Sequence, residues 1–331
     1  MVETKSMNMP KISVIIPVYG VEKYIERCAR SLFEQTLDDI EYLFIDDCTP
    51  DKSVEILKRV LEEYPHRKSQ VVIHRMEQNS GQAKVREWGM RNARGEYVIH
   101  CDSDDWVDVD MYEKMYKKSV SADYDIVVCD YYESDGISHV RKNEYISDKV
   151  EETMSSILLK KTHSVLWNKL VKKSIYNNEI IYPIANNAED YALLVQLAYH
   201  SKSFGYVNEP LYFYFYNTSS LTKVMTNENL INRFNQSVSN IGIVESFLRK
   251  NQSLAKYSDE LDCIKVIEKE ILISSSFDKE LYKKWAGAYK EIFPRILLNN
   301  KINLRRKLRF IGIKYRIYPL IRFMLNLLNR K

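Results

Sequence analysis

Glycine is scarce in this chain, nine of 331 residues, and none of the nine builds a Gly-x-Gly-x-x-Gly loop. That loop brings backbone close to a dinucleotide pyrophosphate after a first strand, so its absence sets aside a dinucleotide-dependent oxidoreductase. Cysteine is sparse too. The five (Cys28, Cys48, Cys101, Cys129, Cys263) are odd in number, scattered, and without a Cys-x-x-Cys pair. They exclude a disulfide framework and predict reduced thiols, as in a cytoplasmic compartment. No stretch approaches the ~18 uninterrupted apolar residues of a membrane-spanning helix, and the opening MVETKSMNMPK lacks the apolar core of a secretory signal. Asp and Glu are missing from residues 301–331, which hold ten Lys and Arg. The first 300 residues then carry 39 basic against 45 acidic side chains, a net of −6 beneath the overall +4. A mildly acidic body argues against nucleic-acid binding there and moves the question of anionic partners to the tail.

What is present is the make-up of an ordinary soluble chain, 45% hydrophobic and 28% charged. Its length suits one large domain or a domain with a substantial extension. Through the first 130 residues short apolar runs alternate with helical patterns. Ile12–Val18 is β-branched, uniformly apolar and too short for a helix, which predicts a strand buried on both faces. Further strands are expected at 42–45, 71–74, 97–101 and 126–129, with helices at 21–35, 53–64, 82–93 and 111–120. This alternation predicts an α/β fold: a Rossmann-like, mostly parallel sheet flanked by helices. From about residue 148 longer helical patterns follow, at 148–160, 190–200, 227–249 and 261–275, interrupted by an aromatic strand at 211–216. The expected division is an α/β domain over 1–225, with halves at about 11–110 and 111–225, and a helical C-terminal extension over 226–331.

Parallel sheets bind ligands beyond the carboxyl ends of their strands, and three polar clusters fall there. The segment Asp102-Ser103-Asp104-Asp105 sets three carboxylates within four residues after a buried strand. Such anions repel unless a cation is near, and Mg²⁺ or Mn²⁺ is typically held by one or two carboxylates plus substrate phosphates. The alternative is an acidic turn that starts the next helix, the reading preferred for Asp108 and Asp110. A second pair, Asp46-Asp47, ends the next strand; Asp47 suits a base N–H or ribose hydroxyl, while Asp51 suits helix capping. Between them Asn79-Ser80-Gly81 opens a helix carrying Lys84 and Arg86, which would offer backbone N–H groups and positive charge to phosphate. A solvated helix face is the preferred reading for Lys84.

The ordered pieces Ser13-Val-Ile-Ile-Pro17-Val-Tyr19, Ile45-Asp-Asp47, Asn79-x-Gly81, Arg86, Gly95-Glu-Tyr97 and Asp102-Ser-Asp104-Asp105 together resemble the family 2 glycosyltransferases of the GT-A fold. The resemblance covers about residues 11–110 closely and extends loosely to about 220. It implies an inverting glycosyltransferase that uses a nucleotide-diphosphate sugar, usually UDP-linked, with a divalent metal. By position in the family's motifs, Pro17 and Tyr19 would frame the base, with the Tyr19 ring stacking on uracil. Asp47 would bind the uracil edge, and Arg86 would face the donor phosphates. Asp102, Ser103 and Asp104 form an Asp-x-Asp motif that would serve ribose and metal, with Asp105 sharing the metal role. Two departures stand out. Glu87 follows Arg86 where the family commonly has Asn, and Cys48-Thr49 replaces Gly-Ser, so the turn at Cys48 is expected to be shaped differently.

Displacement at an anomeric carbon also needs a base for the acceptor hydroxyl's proton. Asn186-Asn-Ala-Glu189-Asp190 precedes a helix and resembles the family's Glu-Asp motif; Asp190 is the expected base, Glu189 the next choice, and a plain helix-start acidic pair the alternative. Trp167 lies in a segment that resembles one beside the family's acceptor site, and reads equally as a sugar platform or a core residue. Residues 302–329 alternate basic and apolar positions, broken by Pro319, which describes an interfacial element able to contact anionic lipid peripherally; packing on the body is the alternative. The implied partners are a UDP-sugar or other nucleotide sugar and a glycan or lipid-linked acceptor in surface-polysaccharide synthesis, at the cytoplasmic face of the membrane. A catalytically silent nucleotide-sugar-binding or assembly partner with the same fold is the competing reading, against which the intact acidic positions speak.

Overall fold

A computed structural model of the chain describes residues 9–216, 226–273 and 278–317. In chain order the first elements are β1 (Ile12–Val18), α1 (Ile25–Phe33), β2 (Ile40–Asp46), α2 (Ser53–Glu62), β3 (Val71–Arg75), α3 (Gln82–Asn92), β4 (Tyr97–His100), β5 (Trp106–Val107) and α4 (Met111–Ser121). Then follow β6 (Ile126–Ser134), β7 (His139–Lys142), α5 (Val150–Leu158), β8 (Lys169–Lys172), α6 (Glu189–His200) and β9 (Phe204–Phe215). Four helices complete the described chain: α7 (Asn227–Lys250), α8 (Ser258–Lys269), α9 (Lys279–Gly287) and α10 (Leu304–Lys314). Two compact units result, 1–157 with 161–220, and 158–160 with 221–331.

The first unit is built on one sheet, ordered β3-β2-β1-β4-β8-β6-β9-β5, with β7 on β6. The ladders β2–β3, β1–β2 and β1–β4 are parallel. Their strands are the apolar runs of the sequence: Ile12, Val14, Ile15, Ile16, Phe44, Ile45, Val98 and Ile99 are fully buried. Each such aliphatic side chain contributes about 1.5–3 kcal/mol, enough for seven-residue strands with no polar face. Beyond β4 the sheet is mixed: β8 runs antiparallel to β4 and β6, β6 pairs parallel with β9, and β5 pairs antiparallel with β9. Helix α1 turns Ile25, Cys28, Ala29, Leu32 and Phe33 into the core. It starts four residues later than the sequence pattern suggested, because Val21 begins with a turn closed by Tyr24 N–H donating to the Val21 carbonyl.

Short or polar strands escaped the sequence reading. β5 has two residues, β7 is largely exposed, and β8 (KLVK) offers two apolar positions. The aromatic strand expected at 211–216 is the end of a twelve-residue strand, β9, whose middle carries Asn208, Glu209 and Pro210.

The second unit has its own core, in which Leu230, Phe234, Val266, Leu281, Trp285, Ile292, Phe310 and Ile313 meet. The first part of the basic tail therefore packs inward. α10 buries Phe310 and Ile313, and Arg306 pairs with Glu270 at 2.8 Å. The segment past Pro319, expected as a second short helix, lies outside the described residues. No described helix is long and apolar enough to cross a membrane.

Gly95 precedes β4 where backbone passes against β1. A Cβ there would lie 2.5 Å from the Ser13 backbone nitrogen and 2.7 Å from the Ile12 carbonyl carbon. Gly95→Ala is expected to destabilise the fold by about 1–3 kcal/mol, the usual range for overpacking. Gly242→Ala, mid-way along α7 in open space, is expected to gain up to about 1 kcal/mol from helix propensity. Urea denaturation of both variants checks the contrast.

Candidate active site

The parallel register brings the acidic strand ends together. Val18 pairs with Asp46, and Asp47 N–H donates to the Val18 carbonyl at 3.0 Å, so Tyr19 and Asp47 leave adjacent strands side by side. Ile15 pairs with His100, which carries Cys101 and Asp102 to the same edge. Pro17 is half-buried at the end of β1, and the Tyr19 ring beyond it is exposed. The loop after Tyr19 is tied to the loop after β2: Gly20 N–H donates to Thr49 Oγ1, Val21 N–H to Ser53 Oγ and Glu22 N–H to Asp51 Oδ2.

Asp46 is structural. It pairs with Arg75 at 2.8 Å and accepts from Thr49 N–H. Cys48 takes φ +58, the left-handed region a glycine would supply. Cys48 Sγ also donates to the Met76 carbonyl at 3.0 Å.

Asp47 is buried, with Oδ1 accepting from Ser80 N–H at 2.7 Å and Oδ2 from Gly81 N–H at 2.8 Å. Asn186 Oδ1 accepts from Ala83 N–H at 3.0 Å. These N–H groups at the start of α3, expected to face phosphate, are thus satisfied within the protein. Gly81 is required there, since it has φ +82 and a Cβ would strike the Asn186 amide.

Helix α3 carries the residue on which the site converges. Arg86 is buried, and its guanidinium meets three carboxylates from two distant segments. Nη2 donates to Asp102 Oδ1 at 2.8 Å; Nη1 donates to Glu189 Oε1 at 3.0 Å and to Asp190 Oδ1. Burial alone would lower the guanidinium pKa, but Asp190, Asp102 and Glu189 more than offset it and the net direction is up. The sequence reading turned Arg86 toward donor phosphate; the structure engages it with carboxylates.

One positive charge among three negative ones leaves the cluster short of cation, and the carboxylates register the deficit. Burial, with Asp102 adding to it, pushes Asp190 up to about 6 against the pull of Arg86. Burial and the Asp190 charge push Glu189 up to about 8. Asp104, one residue past Ser103, is pushed up to about 6 by burial and then by Asp102. Asp102 also accepts from Gln82 Nε2 at 3.3 Å, and Ser103 is buried between the two acids. Among the described residues no three His, Cys, Asp or Glu side chains gather closely enough to enclose an ion unaided. Asp102 and Asp104 nonetheless fit a hard divalent cation chemically: two oxygen donors in a region of unbalanced negative charge.

Asp105, expected to share the metal role, is placed otherwise. It is buried, with Oδ2 accepting from the Tyr212 hydroxyl at 2.7 Å and Oδ1 from Phe215 N–H at 2.7 Å. The same Tyr212 oxygen accepts from Asp102 N–H at 3.1 Å, so β9 props the acidic turn from below. Arg27 supports it from α1, donating to the Asp104 carbonyl at 2.9 Å with its guanidinium 3.7 Å over the Trp106 ring. Tyr212, Arg27, Gln82 and Asn186 were not singled out as site residues in the sequence. Each is a lone polar side chain on an ordinary element, and no local signal marks it.

Trp167 is a core residue, 2% exposed and stacked on Tyr212 at 4.2 Å between ring centroids. Its neighbour Lys169 is also buried, donating to Asn168 Oδ1 at 2.7 Å beside Glu144. His74 stacks on Trp88 at 3.8 Å, and His100 is enclosed.

The family model described as Glycosyl transferase family 2 matches residues 13–195. EpsH of Bacillus subtilis is 28% identical over 95% of this chain and 94% of its own length. Glycosyltransferase GlyA of Streptococcus pneumoniae is 33% identical over 65% of this chain and 32% of its own. Among solved structures, a fragment of S. aureus TarS in complex with UDP-GlcNAc superposes with a TM-score of 0.58 at 14% identity, covering 93% of this chain and 88% of that one; it shares the fold. With more than half of its length matched by the family and its acidic strand ends assembled at one edge of a GT-A-like sheet, the chain belongs to glycosyl transferase family 2 and is a glycosyltransferase.

Proposed function

We propose that the enzyme is an inverting glycosyltransferase that moves a sugar from a nucleotide-diphosphate donor, UDP-linked, to a hydroxyl of a glycan or lipid-linked acceptor in surface-polysaccharide synthesis. The observation that carries the proposal is the single guanidinium of Arg86 joining Asp102, at the donor-side strand end, to Asp190, at the start of α6. Donor handling and proton removal are thereby set within one buried cluster. The UDP choice is supported by the UDP-GlcNAc bound to TarS.

In this reading the exposed Tyr19 ring stacks on the base beside Pro17, and Asp47 shapes the same pocket by holding the turn at Ser80 and Gly81. Asp190 takes the proton of the acceptor hydroxyl as its oxygen bonds to the anomeric carbon. The bond from that carbon to the diphosphate oxygen breaks on the opposite face, so configuration inverts. Arg86 positions Asp190 and opposes its protonation. Asp102 and Asp104 would hold Mn²⁺ or Mg²⁺, which when bound supplies positive charge for the departing diphosphate. Asp105 stays out of that role because its oxygens hold Tyr212 and Phe215. The enzyme acts at the cytoplasmic face, with residues 318–331 making peripheral contact with anionic lipid.

Replacing Asp190 with Asn is expected to lower kcat by about 10²-fold or more, the span of general-base catalysis, while calorimetric donor affinity persists. A near-normal kcat would remove Asp190 from the role. Because the base must be ionised, kcat/KM of the wild type is expected to fall as pH drops through about 6. A profile flat from pH 5 to pH 8 contradicts the assignment. For the metal, UDP titrations with and without Mn²⁺ are expected to differ in the wild type and to coincide in Asp104→Asn. For the lipid contact, cutting after Ile317 spares α10 and the core residues Phe310 and Ile313. This truncation is expected to bind phosphatidylglycerol vesicles severalfold more weakly than the full chain, and equal binding removes that part of the reading.

A further inference from the structure

Several cations of the helical unit are paired with acids. Arg295 meets Asp262 at 2.8 Å, Lys301 meets Glu260 at 2.8 Å, Arg306 meets Glu270 at 2.8 Å and Lys265 meets Glu245 at 2.9 Å. Lys279, Lys283, Lys290 and Arg316 have no such partner among the described residues. These four line a single cavity of about 970 Å³, in which no described lining residue is acidic. Lys279 and Lys283 stand one turn apart on α9, Lys290 opens a short 3-10 segment after that helix has ended, and Arg316 arrives just past the end of α10. The Arg316 guanidinium lies 5.0 Å from the Tyr282 ring centroid, a stacking contact that orients it at the cavity wall. Gly287 opens the floor, since a Cβ built there meets nothing within 4 Å.

Like charges brought to one concavity repel, and four that have no acidic partner among the described residues suit it to an anion. Three mobile ammonium groups and one planar guanidinium together suit an oxyanion with several charged oxygens. We infer that this cavity is a second binding site, separate from the Arg86 cluster, for a phosphate or diphosphate group. Its natural carrier is the phosphate-bearing portion of the acceptor. That last assignment rests on the proposed transfer reaction; the phosphate site itself does not.

The full chain is titrated calorimetrically with sodium pyrophosphate in saturating UDP, which keeps a donor site occupied. Wild type is expected to bind. Lys279→Gln/Lys283→Gln is expected to bind about tenfold more weakly, the loss of one or two charge-assisted hydrogen bonds. Gly287→Phe keeps all four cations and fills the cavity, and it is expected to weaken pyrophosphate comparably. Thermal melting of each variant near the wild-type value shows that the helical unit is intact. Unchanged affinity in both variants, or no pyrophosphate binding by wild type, overturns the site. Vesicles of phosphatidylcholine, alone and mixed equally with phosphatidylglycerol, separate the sources. Weaker pyrophosphate binding with unaltered vesicle binding assigns a soluble phosphate-bearing chain, and parallel loss of both assigns a lipid headgroup. Donor affinity measured on the same variants stays at the wild-type value if the two sites are separate. Failure of the transferase reading would appear as absent UDP binding, independently of the pyrophosphate result.

Discussion

A buried guanidinium surrounded by carboxylates is the constraint on which the catalytic unit depends. Arg86 cannot lose its charge, and leaving that charge unpaired in the interior would cost several kcal/mol. Asp102, Glu189 and Asp190 must therefore come to it, and they come from β4's end and from α6, far apart in the chain. The excess of negative charge that results is not a flaw of packing. It raises Asp190 and Asp104 toward neutral pH by burial and mutual repulsion, which is the condition the proposed proton acceptor needs.

Around this centre the fold is arranged as a set of props. Asp47 fixes the start of α3 and so the direction in which Arg86 leaves the helix. Asn186 reaches the same helix start from the segment just before Glu189 and Asp190, so α3 and α6 are held by side chains as well as by the ion pairs. The Tyr212 hydroxyl, placed by β9, accepts from one acid's backbone and donates to another's side chain. Phe215 N–H does the same work on Asp105 from three residues further on. The acidic turn is thus clamped between the first strands and the last.

How much of this the sequence revealed follows the range of the interactions. Ile12–Val18, the helix at 53–64 and the acidic turn at 102–105 are local patterns, and each was visible as such. So was the gathering of Asp47 and Asp102 at one sheet edge, because parallel strands impose it. The two-residue β5, the polar β7 and the first half of β9 had no periodicity to read; they exist because a neighbouring strand supplies their hydrogen bonds. Arg86 was recognised, but its partners were not, since nothing near position 86 records a carboxylate a hundred residues away. The amphipathic pattern of 304–314 was real, yet pattern alone does not say whether an apolar face meets lipid or protein. Phe310 and Ile313 meet Trp285 and its neighbours.

The long reach of these contacts also bears on how the protein comes into being. A ribosome releases β1 to α3 well before α6 and β9, so Arg86 emerges with none of Glu189, Asp190 or Tyr212 yet made. The nascent front half can pair its parallel strands, but its reaction centre stays incoherent until residue 215 has left the exit tunnel. Competence is conferred late, by the strand that closes the sheet.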